Sequence, residues 1–202
     1  MNSIIEMIKQ LRSETGAGAM ECRKALEQGG QNYDNARALL REQAALKAEK
    51  QANREALQGR IEVYSHNNGR IGVMVEINTE TEFASRSEVL RHLAHEVALQ
   101  IAAASPLFVR DEDIPQQVLD EQALEAAEKA RNAGKSEKVI EQIVAGVLGK
   151  YKSQQVLLQQ AYIRDENLSV AQLVSQAIGQ LGENIVIRRF IRWEICLDAE
   201  GE

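Results

Sequence analysis

GRIEVYSHNNGRIGVMVEIN, residues 59–78, decides the fold class. Its period is two. Ile61 and Val63 alternate with Arg60, Glu62 and Tyr64; after a break, Ile71, Val73, Val75 and Ile77 alternate with Gly72, Met74, Glu76 and Asn78. Successive side chains of a strand point to opposite faces, so this pattern predicts two strands sharing one buried face. Asn68-Gly69 lies between them, and both residue types tolerate positive φ, which closes an antiparallel hairpin. The rest of the chain reads mainly as helix, with only two Pro among 202 residues to interrupt it. The expected class is α+β: a helical module, a linking helix, then a small antiparallel sheet packed by helices.

Upstream of the hairpin, residues 1–45 read as a compact three-helix module. Ile4, Ile8 and Leu11 recur at helical spacing. Thr15-Gly16-Ala17-Gly18 then breaks the chain, because glycine reaches backbone angles that other residues avoid. A second short helix over 19–28 has Met20 and Leu26 as apolar anchors and ends at Gly29-Gly30. Asp34 is the expected cap of the third helix. That helix continues as NARALLREQAALKAEKQANREAL, rich in strong helix formers, and its 46–58 portion reads as a solvated link.

The remaining 59–202 form an α+β core. Helices are expected over 87–104, 120–133 and 136–149, with 151–160 extending the last or forming a short helix, and over 170–181 behind Ser169. The chain closes on a strand in which Ile185, Ile187, Ile191, Trp193, Ile195 and Leu197 share a face interrupted by Arg189. Cys196 alternates with Trp193 and Ile195, on the side of Arg188, Arg192 and Glu194. A thiol there could meet its mate across a two-fold axis, so Cys196 is a possible dimer contact and the chain a possible homodimer.

Composition narrows the function. A formal net charge of -6 argues against direct nucleic-acid binding through the phosphate backbone. There is no run of eighteen apolar residues, so no membrane span is expected. MNSIIEMIKQLR is amphipathic and carries Glu6, unlike a signal peptide. Cys22 and Cys196 match no disulfide framework or zinc spacing, as befits a reduced cytoplasmic location. No phosphate-binding G-x-x-x-x-G-K-[ST] and no G-x-S-x-G nucleophile turn occurs. His92 and His95, three apart on a helix, raise a metal-dependent hydrolase as a rival reading, but H-E-x-x-H and a third ligand are lacking. Glu76, Glu80, Glu82, Glu88 and Glu96 cluster in sequence without a nucleophile or cofactor motif beside them. No metal, cofactor or enzymatic chemistry is expected.

LRSETGAGAMECRKAL at 11–26 and EINTETEFA at 76–84 resemble the elongation factor Ts family. The first is similar to its N-terminal signature L-R-x-x-T-G-A-G-M-M-D-C-K-K-A-L. The second is similar to E-V-N-C-E-T-D-F-V. LQIAAASP at 99–106, IVAG at 143–146 and RFIR at 189–192 follow in order. Glu82 stands for the usual aspartate, Ala84 for valine, Ala19 and Glu21 for methionine and aspartate, and Gln160-Ala161-Tyr162 where the family often has Q-P-F. The length resembles forms lacking the duplicated core and the extra C-terminal module.

The resemblance implies a nucleotide-exchange factor that promotes GDP release from elongation factor Tu, binding it GDP-bound and nucleotide-free. It implies a ubiquitin-associated-like N-terminal module that docks through Arg12, Thr15, Gly16, Ala17, Gly18, Met20, Cys22 and Lys24. It further implies that Thr81, Glu82, Phe83 and Ala84 press near the partner's magnesium site. An interaction module of this shape serving another partner is the alternative.

Overall fold

The computed structural model describes residues 3–195 and is α+β. The chain divides into two compact units, one of residues 1–99 with 171–202 and the other of 100–170.

The first unit opens with three helices: α1 (Ile4–Thr15), α2 (Ala19–Gln28) and α3 (Tyr33–Gln51). Ser3 caps α1 in a reciprocal box with Glu6, each side chain accepting from the other's backbone N–H. Leu11, Cys22, Ala25, Leu26, Ala36 and Leu40 form the core of this module. Met20, expected as an anchor, is instead exposed, so Leu26 and Ala25 hold α2. The cap of α3 is Asn32, whose side chain accepts from the Asn35 amide, and not Asp34, which lies inside the first turn. The helix expected to reach residue 58 stops at Gln51.

Strands β1 (Gln58–His66) and β2 (Ile71–Thr79) pair antiparallel, with His66 opposite Ile71. Asn67, Asn68 and Gly69 all take positive φ in the turn. Gly59 has to be glycine: a Cβ there would lie 2.3 Å from the Ile77 carbonyl oxygen. The final strand β5 (Ile185–Glu194) adds to β2, giving the order β1-β2-β5. A short helix α4 (Glu82–Ser85) follows β2; α5 (Glu88–Ala104) and α8 (Val170–Leu181) are the long helices nearest the sheet in sequence.

The sheet corrects two expectations. Val73, Val75 and Ile77 are buried, but Ile61 and Val63 are exposed, because Val63 opposes Met74 and Ile61 opposes Glu76 on the other face. In β5 the register slips: Glu76 pairs with Arg189 and Ile77 with Ile187, leaving Arg188 as an extra residue. Such a bulge switches every later side chain to the opposite face. Ile185 and Ile187 are buried, whereas Ile191, Trp193 and Ile195 join Met74 in the open. Cys196 and Leu197 lie outside the described residues.

The second unit is built on a helical hairpin, α6 (Gln116–Asn132) and α7 (Glu137–Gln155). A 3-10 turn over Leu157–Gln159 follows, then a small hairpin of β3 (Ala161–Tyr162) and β4 (Asp165–Ser169) that the sequence pattern did not disclose. Gln100 is buried and ties this unit together. Its amide donates to Gln160 Oε1 at 3.1 Å and to the Ala161 carbonyl at 3.2 Å, and its oxygen accepts from the Ile163 amide at 2.9 Å.

Candidate functional site

Phe83 is the most exposed large apolar side chain among the described residues, at 86%. Leaving a phenylalanine ring in water forfeits about 1.5–3 kcal/mol of burial, so its exposure on a well-held base asks for a reason. The base is the junction where β2 gives way to α4. Thr81, with extended backbone, is the N-cap of α4, and its hydroxyl accepts from the Ala84 amide at 3.2 Å. The same hydroxyl donates to Glu183 Oε1 at 2.7 Å, and the Thr81 amide donates to Glu183 Oε2 at 3.0 Å. The buried Thr79 donates its hydroxyl to the Thr81 carbonyl at 3.0 Å. Every polar group of Thr81 is therefore engaged.

Around this point α4 has two sides. Ala84 and Ser85 are buried and seat the helix; Glu82 and Phe83 face out. Ala84, expected to touch a partner, is thus an interior residue of this chain. Glu82 pairs with Arg86 one turn on. Beneath, Glu80 Oε1 accepts from the Asn184 amide at 2.6 Å and lies 3.5 Å from the Arg54 guanidinium. Asn184, buried, donates its side-chain amide to the Ala52 and Arg54 carbonyls. Glu183 and Asn184 went unnoticed in sequence. They sit in an ordinary polar loop, and their partners lie 102 and more residues away.

The other expected cluster is the turn between α1 and α2. Gly16 ends α1 with φ +66°, which a side chain would strain, and its amide donates to the Arg12 carbonyl at 2.9 Å. Thr15 is buried; its hydroxyl donates to the Leu11 carbonyl at 2.6 Å and accepts from the Ala17 amide at 3.3 Å. Gly18 precedes α2, and its amide donates to Glu21 at 3.0 Å. The hydrogen bond from Lys47 at 2.7 Å, and then that from Gly18, hold the Glu21 carboxyl below its usual range. Cys22 is fully buried, with the thiol 3.7 Å from the Ala17 carbonyl, and burial pushes its pKa up. Thr15 and Cys22, expected among the docking residues, therefore shape the turn from inside. Arg12, Gly16, Gly18, Met20 and Lys24 are the exposed members of the set, and Ala17 is half-buried.

The histidines part company. His95 lies edge-on to Tyr64, 5.5 Å between ring centres, with Nδ1 3.7 Å from Glu62. His92 lines a groove with Glu88, Val89 and Leu173. Among the described residues, no group of three or more His, Cys, Asp or Glu is placed to hold a metal. None of the described helices is long and apolar enough to cross a membrane.

Residues 6–195 match the family model described as elongation factor TS. The chain belongs to the elongation factor Ts family. Curated relatives agree over nearly full length. Elongation factor Ts of Coprothermobacter proteolyticus is 44% identical over 94% of this chain and 96% of its own. That of Rubrobacter xylanophilus is 44% identical over 96% and 100%. The Carboxydothermus hydrogenoformans protein is 42% identical over 94% and 88%. Both places that carried the family resemblance in the sequence, 11–26 and 76–84, fall within the matched span. In this member each is a turn pinned by hydrogen bonds next to an exposed apolar side chain, Met20 in one and Phe83 in the other.

Proposed function

We propose that this chain acts in the cytoplasm as a guanine-nucleotide exchange factor, promoting GDP release from elongation factor Tu. The observation that carries the reading is the exposed Phe83 ring on an immobilised base. A wedge must keep its position while it displaces its target, and the Thr81 contacts supply that support. Glu82, beside the ring, brings a carboxylate that can compete for the partner's magnesium ion or its ligands. The N-terminal module contributes docking through the surface around Arg12, Gly16, Ala17, Gly18, Met20 and Lys24. No bond is made or broken by residues of this chain, so the activity is differential binding alone: the chain favours the open, nucleotide-free form of its partner.

Linkage makes this testable. If the chain weakens GDP binding by some factor, GDP weakens binding of the chain by the same factor. Titrations of elongation factor Tu with this protein, nucleotide-free and with saturating GDP and magnesium, should differ by at least tenfold, about 1.4 kcal/mol. Equal affinity for the two forms would refute the reading.

The same protein presents an apolar sheet face: Ile61 and Val63 of β1, Met74 of β2, Ile191 and Trp193 of β5, and Ile195 beyond it, all exposed. We propose a second copy of this chain as its occupant, the two sheets packing face to face as in a sandwich. The face is self-complementary in charge, since Glu76 and Arg189 lie on it side by side, 2.7 Å apart. Light scattering should give twice the chain mass at micromolar concentration, and Trp193→Glu should halve it. A wild-type monomer would rule the dimer out.

A further inference from the structure

We infer that Glu183 is a positioning residue for exchange: its carboxylate grips the amide and hydroxyl of Thr81 and thereby fixes where the Phe83 ring projects. The inference rests on the exchange reading above and adds a residue to it.

The geometry is specific. Glu183 lies in the loop between α8 and β5, two residues before the first residue of β5, and Thr81 lies two residues after the last residue of β2. Thr79 at the end of β2 pairs with Ile185 at the start of β5, so the sheet itself brings the two loops together. One carboxylate oxygen takes the Thr81 amide and the other its hydroxyl, at 3.0 and 2.7 Å. Charge-assisted hydrogen bonds of this kind are roughly twice as strong as neutral ones. Two bonds from one rigid pair of oxygens also fix direction, which a single bond would not.

The hydroxyl has a second duty. With its proton donated to Glu183, its oxygen lone pairs face the Ala84 amide and cap α4. Glu183 therefore sets the donor-acceptor sense of the cap, and through the cap the orientation of a helix only four residues long. A helix so short has too few internal bonds to hold itself. Its frame is external: Thr79 and Glu183 on one side, the buried Ala84 and Ser85 on the other. Asn184, next along, fastens the same loop to Glu80 and to the chain leaving α3, so the backbone beside Glu183 is itself held in place.

Removing the grip should leave the fold intact, because Glu183 is half-buried and contributes no core volume. It should leave docking largely intact as well, because the α1–α2 turn is untouched. What changes is how firmly the ring is presented.

The test compares Glu183→Ala, Thr81→Val and Phe83→Ala in stimulated GDP release from elongation factor Tu, with thermal unfolding as a control. In Glu183→Ala the plateau rate at saturating factor should fall about fivefold to tenfold, short of the roughly hundredfold that a full ångström of misplacement can cost. The factor concentration giving half the plateau should stay within about twofold. Thr81→Val, which keeps the amide bond to Glu183 but loses the hydroxyl bond and the cap on Ala84, should also slow release, and the double variant should lose less than the sum of the two, since both loosen one grip. Glu183→Gln, which keeps one acceptor, should fall between Glu183→Ala and wild type. Amide exchange at Ala84 should quicken in Glu183→Ala. Slow release from Phe83→Ala with full-speed release from both Glu183→Ala and Glu183→Gln would overturn this inference and leave the exchange reading standing. Full-speed release from Phe83→Ala would overturn the role of the ring, and this inference with it; no stimulation of release by the wild-type chain would overturn the exchange reading itself.

Discussion

Phe83→Ala should slow stimulated GDP release from elongation factor Tu by tenfold or more, while the variant melts at the wild-type temperature. The size follows from the energy of an interface hot spot, about 2 kcal/mol for a desolvated aromatic anchor. The intact fold follows from exposure. Truncating a buried phenylalanine costs about 3–5 kcal/mol, but this ring is 86% exposed and has little packing to lose. Activity and stability therefore separate at this position. Glu82→Gln should cost less, because shape is kept and only charge is lost, and its defect should shrink when magnesium is already chelated. Stopped-flow release of a fluorescent GDP measures all of these. A folded Phe83→Ala with full activity would make the exposed ring incidental.

The second large effect is on stability. Leu11→Ala should destabilise the N-terminal module by about 2–5 kcal/mol, the range for emptying a buried leucine site. Leu11 is fully buried in one cluster with Cys22, Ala25, Leu26, Ala36 and Leu40, so its truncation removes buried apolar contact and leaves a cavity. Its carbonyl also receives the Thr15 hydroxyl, so the loss reaches the Gly16–Gly18 turn. Urea unfolding should show an earlier midpoint, and binding to elongation factor Tu should weaken. An unchanged midpoint would mean that the module draws its stability from elsewhere.

What the sequence made legible was local. Asn68-Gly69 announced its hairpin, and the bounds of α2 follow from Gly18 before it and Gly29 after it, because turn chemistry depends on adjacent residues alone. Alternation identified β1 and β2 as strands but not which side of each is covered. Ile61 and Val63 look like core residues in any one-strand reading, and only the register against Glu76 and Met74 puts them outside. The bulge at Arg188 was hidden for a similar reason: an inserted residue leaves composition unchanged and shifts only the phase. The β3–β4 hairpin escaped because its first strand has two residues, too few for any period to show.

The site divides in the same way. Resemblance to the family pointed to Thr81, Glu82, Phe83 and Ala84 as a block and to the Thr15–Cys22 region as another. It did not sort them into exposed and interior members. Ala84, Thr15 and Cys22 turn inward because helix geometry alternates faces every few residues. Glu183 and Asn184 lay beyond reach altogether, for their meaning comes from contact with residues a hundred positions earlier.

The most direct measurement of the central claim is the rate of labelled GDP leaving elongation factor Tu, with excess unlabelled GDP as chase, against the concentration of this protein. The account predicts a rate that rises with added protein to a plateau far above spontaneous release, with substoichiometric amounts sufficing to empty all of the partner. A rate that stays at the spontaneous value across the titration would contradict it.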